Sequence, residues 1–210
     1  MPHVVLLGDS IFDNGAYTQG GPDVITQLRG VVPAGWRATL GAVDGATTEA
    51  FSPQVSELPA DATHIVVSLG GNDALGHMDL LDRPARSSAE VLAELASAAE
   101  RFEKRYRRAI DAVVARGAAV TVCTIYNGNF PDPQLQRLAS AALTVFNDAI
   151  LRVAFERRLS VIDLRLVCNE PSDYANPIEP SSRGGAKIAR AIVRALALSP
   201  SEESVARVIA

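Results

Sequence analysis

The chain has 210 residues, of which 48% are hydrophobic and 21% are charged, and its formal net charge is −4. These values are typical of a folded domain, and the lack of a basic stripe argues against a nucleic-acid partner. No apolar run reaches the roughly 18–20 residues that span a bilayer, and the N-terminus lacks a signal-peptide pattern. We therefore expect a cytoplasmic protein without a membrane span.

Short β-branched runs alternate with longer amphipathic patterns along the chain. The predicted strands are 3–7, 37–43, 64–69, 120–125 and 161–166. The predicted helices are 23–29, 47–58, 88–116, 133–158 and 183–198. Nearly continuous apolar strands are typical of parallel sheets that are covered on both faces. Five βα units with right-handed crossovers predict a three-layer α/β/α sandwich, with a flavodoxin-like five-stranded parallel sheet in the order 2-1-3-4-5.

These elements form one predicted domain, residues 1–198, because no repeat or linker interrupts them. Residues 199–210 then make a short C-terminal tail. In this tail Val205, Val208 and Ile209 fall at helical spacing, so we expect a helical tail that packs on the same domain. Cys123 and Cys168 lie in apolar runs, which favours buried free thiols in an intracellular protein.

The Gly- and Pro-rich loops follow the predicted strands, at the edge where open α/β sheets bind ligands. Ser10, in the sequence Gly-Asp-Ser at 8–10, directly follows the first strand and is the candidate nucleophile. Gly45 follows the second strand and leaves its backbone N–H open to a ligand near a helix N-terminus. Asn72, in Gly-Gly-Asn-Asp at 70–73, follows the third strand, and its amide can donate to an oxyanion.

In this order, the three blocks resemble those of the SGNH, or GDSL, hydrolase family. The resemblance implies a flavodoxin-like hydrolase that acts on esters or thioesters, with Ser10 as nucleophile. It further implies an oxyanion hole made of the N–H groups of Ser10 and Gly45 and the side-chain amide of Asn72. The family usually carries Asp-x-x-His before its last helix. Here Asn176 and Glu179 occupy those two positions, so the usual Ser-His-Asp triad cannot form from this block.

Three interpretations of the missing histidine remain open. In the first, Glu179 is the general base, its pKa raised by an apolar surround at 177–180 and by the like charge of Asp173, with Asn176 or Asp173 holding it. In the second, His77 on the third loop is the base, because its intrinsic pKa suits the task. In the third, the site binds a ligand without turnover, as a pseudo-hydrolase on the same fold.

Further polar residues of these loops are predicted to contact substrate. The segment 126–130, which follows the fourth strand, is a candidate lining of the same pocket. These predicted substrate contacts are Asp9, Asp73, His77, Asn127 and Asp173. No metal-ligand spacing and no nucleotide-binding fingerprint occur, so we predict neither a metal nor a cofactor. The predicted partner is a small-molecule ester, and the sequence does not define an oligomeric state.

Overall fold

The computed structural model describes residues 1–197 and 208–209, which contain one six-stranded sheet. Its strands run in the order β2-β1-β3-β4-β5-β6, and every neighbouring pair is parallel. The strands are β1 His3–Gly8, β2 Arg37–Leu40, β3 His64–Ser68, β4 Ala119–Cys123, β5 Ser160–Ile162 and β6 Val208–Ile209. The first five strands have the predicted order.

In the described part of the chain, seven α-helices connect and cover the strands. They are α1 Val24–Val31, α2 Ser52–Ser56, α3 Gly71–Leu75, α4 Ser88–Val114, α5 Pro133–Glu156, α6 Leu164–Val167 and α7 Ser182–Ala197. Three short 3₁₀ turns lie at Gly15–Tyr17, Met78–Leu81 and Pro171–Asp173. Side-chain caps begin several helices: Ser87 accepts the N–H of Glu90 at the start of α4, as its position predicts.

The sheet lies between two layers of helices because β1 alternates its side chains between two cores. Val4 and Leu6 pack in the core that includes α1 and α7. Val5 and Leu7 pack in the opposite core, with α2, α4 and α5. All four side chains are buried, as expected for a central parallel strand. The predicted three-layer sandwich is confirmed.

The C-terminal end of the chain departs from the prediction. Val208 and Ile209 pair in parallel with Val161 and Ile162 and form a sixth strand, so this part of the predicted helical tail is wrong. This pairing gives hydrogen-bond partners to the backbone at the open edge of β5, and it buries Ile209. The spacing of apolar residues in so short a segment does not reveal such a pairing. Residues 199–207 and 210, which the tail prediction also covers, lie outside the described residues.

Several predicted elements end earlier than expected; the second predicted strand, 37–43, stops at Leu40. The fifth strand ends at Ile162, because Asp163 caps α6 by accepting the N–H of Arg165. The predicted helix 47–58 is reduced to α2, Ser52–Ser56. Short apolar runs do not distinguish a strand from a buried helical turn, which explains why the fifth strand was predicted to be too long. Cys123 and Cys168 are buried and free, as predicted.

One helix, α5, is long and apolar enough to cross a membrane by length and composition. Its most apolar 18-residue window has a mean hydropathy of 1.4, and one third of that window is buried. This is weak evidence for a span, because core helices of soluble proteins have the same properties. The absence of a membrane span therefore stays a prediction.

Candidate active site

Ser10 lies in a tight turn at the carboxyl end of β1. Gly8 has φ +130°, and a Cβ there would lie 1.7 Å from the carbonyl oxygen of Ser68 on β3. Only glycine allows the two strand ends to approach so closely. The buried amide of Gln54 accepts the N–H of Gly8 at 2.8 Å and donates to its carbonyl at 2.7 Å. The turn that presents Ser10 is therefore held from both sides.

The Ser10 hydroxyl donates to Oε1 of Glu179 at 3.0 Å. Glu179 is only 6% exposed, and its Oε2 has no hydrogen-bond partner among the described residues. Burial raises the pKa of Glu179 from its ordinary value of 4.5 to about 7; the hydrogen bond from Ser10 lowers it, and the charge of Asp44 raises it again. The site thus joins a serine to a carboxylate that titrates near neutral pH.

Asn176 holds the turn that carries Glu179. Its Oδ1 accepts the backbone N–H groups of Ile178 and Glu179, each at 2.9 Å. Tyr126 donates its hydroxyl to the carbonyl of Ile178 at 2.6 Å from the opposite side. Asn176 therefore binds the backbone beside Glu179 and not the carboxylate that we expected it to hold.

Asp173 does not take the position expected of a substrate contact. Its carboxylate is fully buried below the last loop, where Oδ2 accepts Lys187 Nζ at 2.8 Å and the N–H groups of Asn169 and Glu170. The charge that acts on the pKa of Glu179 is that of Asp44, not that of Asp173. Asp173 instead anchors the loop to α7 through the ion pair with Lys187.

The second and third loops are tied to each other. Asn72 Nδ2 donates to the carbonyl of Ala46 at 3.0 Å, and Asp73 accepts the N–H and hydroxyl of Thr48 at 2.9 and 2.5 Å. Gly45 is exposed at φ +77°, with open space where a Cβ would be. Asp73 thus holds the loop of Gly45 rather than lining the cavity, and Asn72 has a second N–H left for a ligand.

A cavity opens beside Ser10 and contains about 920 Å³ of empty space, counting its mouth to solvent. Asp9, Asn72, His77 and Asn127 line it together with Ser10 and Glu179. The rest of the wall is mainly apolar: Leu75, Met78, Leu80, Leu81, Leu95, Ile125, Tyr126, Phe130, Ala139, Ala142, Leu143, Phe146 and Ile178. Tyr126, Asn127 and Phe130 come from the loop that the sequence indicated as a lining.

Two other titratable groups share the cavity. Burial raises the pKa of Asp9 from 3.8 to about 7; the N–H of Ile11 opposes the rise, and the charge of Glu179 adds to it. The ring of His77 packs on Phe146, with 6.0 Å between ring centroids. The Ser10 hydroxyl is hydrogen-bonded to Glu179, whereas the ring of His77 contacts Phe146 on the apolar wall.

The structure therefore brings together most of the predicted site but not all of it. Gly45, Asn176, Asp73 and Asp173 do not line the cavity. Asn176, Asp73 and Asp173 hold the loops around it, whereas Gly45 is exposed. Sequence reasoning missed Asp44, although its position beside Gly45 was a usable signal. Among residues 1–197 and 208–209, no group of three or more His, Cys, Asp or Glu side chains is placed to hold a metal ion.

The parallel sheet carries a serine at the end of its first strand, and this serine contacts a carboxylate on the last loop. This is the arrangement that the sequence predicts for an ester hydrolase. The sequence profile of the GDSL-like Lipase/Acylhydrolase family matches residues 6–187. The chain belongs to this family and is an enzyme that acts on ester bonds. No curated protein matches the sequence.

Solved structures share the fold at low sequence identity. The extracellular lipase of Streptomyces rimosus has a TM-score of 0.68 at 19% identity, over 94% of this chain and 99% of that one. The lipase Lip_vut3 from a goat rumen metagenome has a TM-score of 0.72 at 19% identity, over 93% and 97%. A carbohydrate acetylesterase of Sinorhizobium meliloti has a TM-score of 0.63 at 13% identity, over 94% and 99%.

Proposed function

We propose that the protein is a serine esterase in which Ser10 is the nucleophile and Glu179 is the general base. The observation that carries the proposal is the 3.0 Å hydrogen bond from the Ser10 hydroxyl to the buried Glu179 carboxylate at the floor of the cavity. A nucleophile within hydrogen-bond reach of a base is the arrangement that covalent catalysis requires. The lipases and the acetylesterase of the same fold support an ester as substrate.

Ser10 Oγ attacks the ester carbonyl carbon while its proton passes to Glu179. The tetrahedral oxyanion accepts hydrogen bonds from the N–H of Ser10 and from the free N–H of Asn72, both of which line the cavity. The N–H of Gly45, on the exposed loop that Asn72 contacts, is the third donor in this proposal. Glu179 then gives its proton to the leaving alcohol as the ester bond breaks, and an acyl-serine remains. Water attacks this acyl-enzyme, Glu179 accepts its proton, and the carboxylic acid leaves as Ser10 regains a hydrogen.

The raised pKa of Glu179 makes a carboxylate suitable for this role. A carboxylate at its ordinary pKa is a weak base toward a serine hydroxyl, whereas a base works best when its pKa lies near the operating pH. Burial brings the pKa of Glu179 to about 7. The rate should therefore rise with pH as Glu179 ionises, and level off above about pH 7.

Labelling with a fluorophosphonate probe tests the nucleophile. We expect labelling of the wild type between about pH 6 and pH 9, the range of a tuned base, and none after Ser10→Ala. The matched control is Ser56→Ala, since Ser56 is exposed on α2 and donates only to the carbonyl of Ser52. Absence of labelling in the wild type would favour the non-catalytic ligand-binding alternative.

Turnover of p-nitrophenyl acetate separates the two candidate bases. Glu179→Gln should lower kcat by about 100- to 10,000-fold, the range for removal of a general base. His77→Ala should change kcat far less, because the His77 ring packs on Phe146 rather than on Ser10. A large loss of kcat with His77→Ala and little loss with Glu179→Gln would transfer the role to His77.

A further inference from the structure

The cavity beside Ser10 has two chemically different parts. Its polar groups come from the strand ends and the last loop, where Asp9, Ser10 and Glu179 lie together. Its far wall is built by one stripe of α5, in which Ala139, Ala142, Leu143 and Phe146 recur at helical spacing. The segment after α3 faces this stripe with further apolar side chains, among them those of Met78 and Leu81.

We infer that this apolar part is a binding site for the hydrocarbon chain of the acyl group, so that the enzyme prefers medium-chain acyl esters to acetyl esters. The inference rests on the proposed function of Ser10. Each methylene that leaves water for such a wall should improve kcat/KM by about fourfold until the chain fills the space. Acetate and hexanoate differ by four methylenes, so their kcat/KM values should differ by at most about 200-fold.

The wall is poorly suited to a sugar or to an anionic group. Among residues 1–197 and 208–209, no Lys or Arg lines the cavity, and its acidic groups are Asp9 and Glu179 at the reacting end. A sugar bound along the α5 stripe would lose hydrogen bonds to water and would gain few partners beyond His77, which is unfavourable. A neutral alkyl chain has no such requirement.

We assign the apolar part to the acyl chain rather than to the alcohol because of the order of the reaction. The acyl group stays on Ser10 through both halves of the cycle, whereas the alcohol leaves and water replaces it. Departure of the alcohol and entry of water need a side of the cavity that the retained chain does not fill. The apolar side is then left for the group that stays.

The first test compares p-nitrophenyl acetate, butyrate, hexanoate and octanoate, together with the isomeric pair hexyl acetate and ethyl hexanoate. We expect kcat/KM to rise from acetate to hexanoate, and ethyl hexanoate to react faster than hexyl acetate. A preference for acetate throughout the series would overturn the inference. Faster reaction of hexyl acetate would assign the apolar wall to the alcohol and overturn it equally.

A matched pair of variants locates the chain. Ala142 lines the cavity, whereas its neighbour Ala141 is exposed on α5 and does not. Ala142→Phe should lower the hexanoate-to-acetate ratio of kcat/KM at least tenfold, because the ring occupies the space of the chain. Ala141→Phe should leave the ratio unchanged. An unchanged ratio in a folded Ala142→Phe variant, with its melting temperature retained, would contradict the inference.

Binding without turnover separates this inference from the proposed function. The Ser10→Ala variant is titrated with hexanamide and with acetamide in a calorimeter. Hexanamide should bind at least tenfold more tightly, and Ala142→Phe in the same background should remove the difference. This result would support the chain site even if no ester were hydrolysed. Equal binding of the two amides would overturn the chain site and leave the role of Ser10 to the labelling experiment.

Discussion

Replacing Glu179 by glutamine should make the folded protein more stable at alkaline pH while it removes the activity. The pKa of Glu179 rises from 4.5 in an exposed chain to about 7 in the folded protein, chiefly because of burial. The folded state therefore binds the proton more tightly than the unfolded state. Ionisation of Glu179 then costs stability as pH rises from 4.5 to about 7, and the full cost is present above pH 7.

The magnitude follows from the interval between 4.5 and about 7, which is about 2.5 pH units. One unit corresponds to about 1.4 kcal/mol, so the upper bound is slightly above 3 kcal/mol. Because Glu179 faces a cavity that opens to solvent, we expect about 2–3 kcal/mol at pH 8. Glutamine keeps an oxygen that accepts the Ser10 hydroxyl but carries no charge, so it avoids this cost.

Urea denaturation of wild type and Glu179→Gln at pH 4.5 and pH 8 measures the effect. The variant should exceed the wild type by about 2–3 kcal/mol at pH 8 and by less than about 1 kcal/mol at pH 4.5. Glu57→Gln, at an exposed position, controls for the loss of a carboxylate as such. A stability difference that is the same at both pH values, or that favours the wild type at pH 8, would refute the argument.

Three further substitutions test other parts of the structure. Glu179→Asp withdraws the carboxylate from its 3.0 Å contact with Ser10. Because misplacement by about 1 Å costs about 100-fold, kcat/KM in an ester assay should fall by that factor. Wild-type kinetics would contradict the contact. Asn176→Ala leaves two backbone N–H groups without their acceptor and should lower the free energy of unfolding in urea by about 1 kcal/mol. Asn176→Asp keeps the acceptor and should not lower it. Equal losses in the two variants would contradict this role of Asn176. Tyr106→Phe removes a fully buried hydroxyl that has no hydrogen-bond partner among the described residues. The free energy of unfolding should therefore rise by about 1 kcal/mol. A loss of stability would show that the hydroxyl makes a hydrogen bond.

The chemistry at the strand ends could be predicted from the sequence because parallel topology brings those ends to one edge. Ser10 and Asn72 follow β1 and β3, which pair directly, so their proximity follows from the strand order. Glu179 could be found because a recognisable block surrounds it. These residues line one cavity as the sequence analysis expected.

The supporting contacts could not be predicted, since they depend on which partner each loop meets. Asp73 and Asp173 are polar residues in site loops, yet each has hydrogen-bond partners of its own, Thr48 and Lys187 respectively. Nothing in their spacing distinguishes a loop anchor from a substrate contact. The apolar wall was missed for a similar reason: the stripe of α5 and the segment at 78–81 look like ordinary core until the packing leaves space between them.

A carboxylate base changes where charge resides during the proposed reaction. With a histidine base, proton transfer creates an imidazolium cation near the oxyanion, and the two opposite charges attract each other. With Glu179 the site holds one negative charge throughout, which moves from the carboxylate to the oxyanion. In the resting site that charge is poorly stabilised, because Glu179 is buried and its Oε2 has no partner among the described residues. At the oxyanion it would meet the N–H donors of Ser10, Gly45 and Asn72. The interactions that favour the transition state over the ground state are those that accelerate the reaction. In the proposed reaction, the unpartnered oxygen of Glu179 would therefore favour catalysis for the same reason that it lowers stability: it leaves the ionised resting state less favourable than the state into which the charge moves.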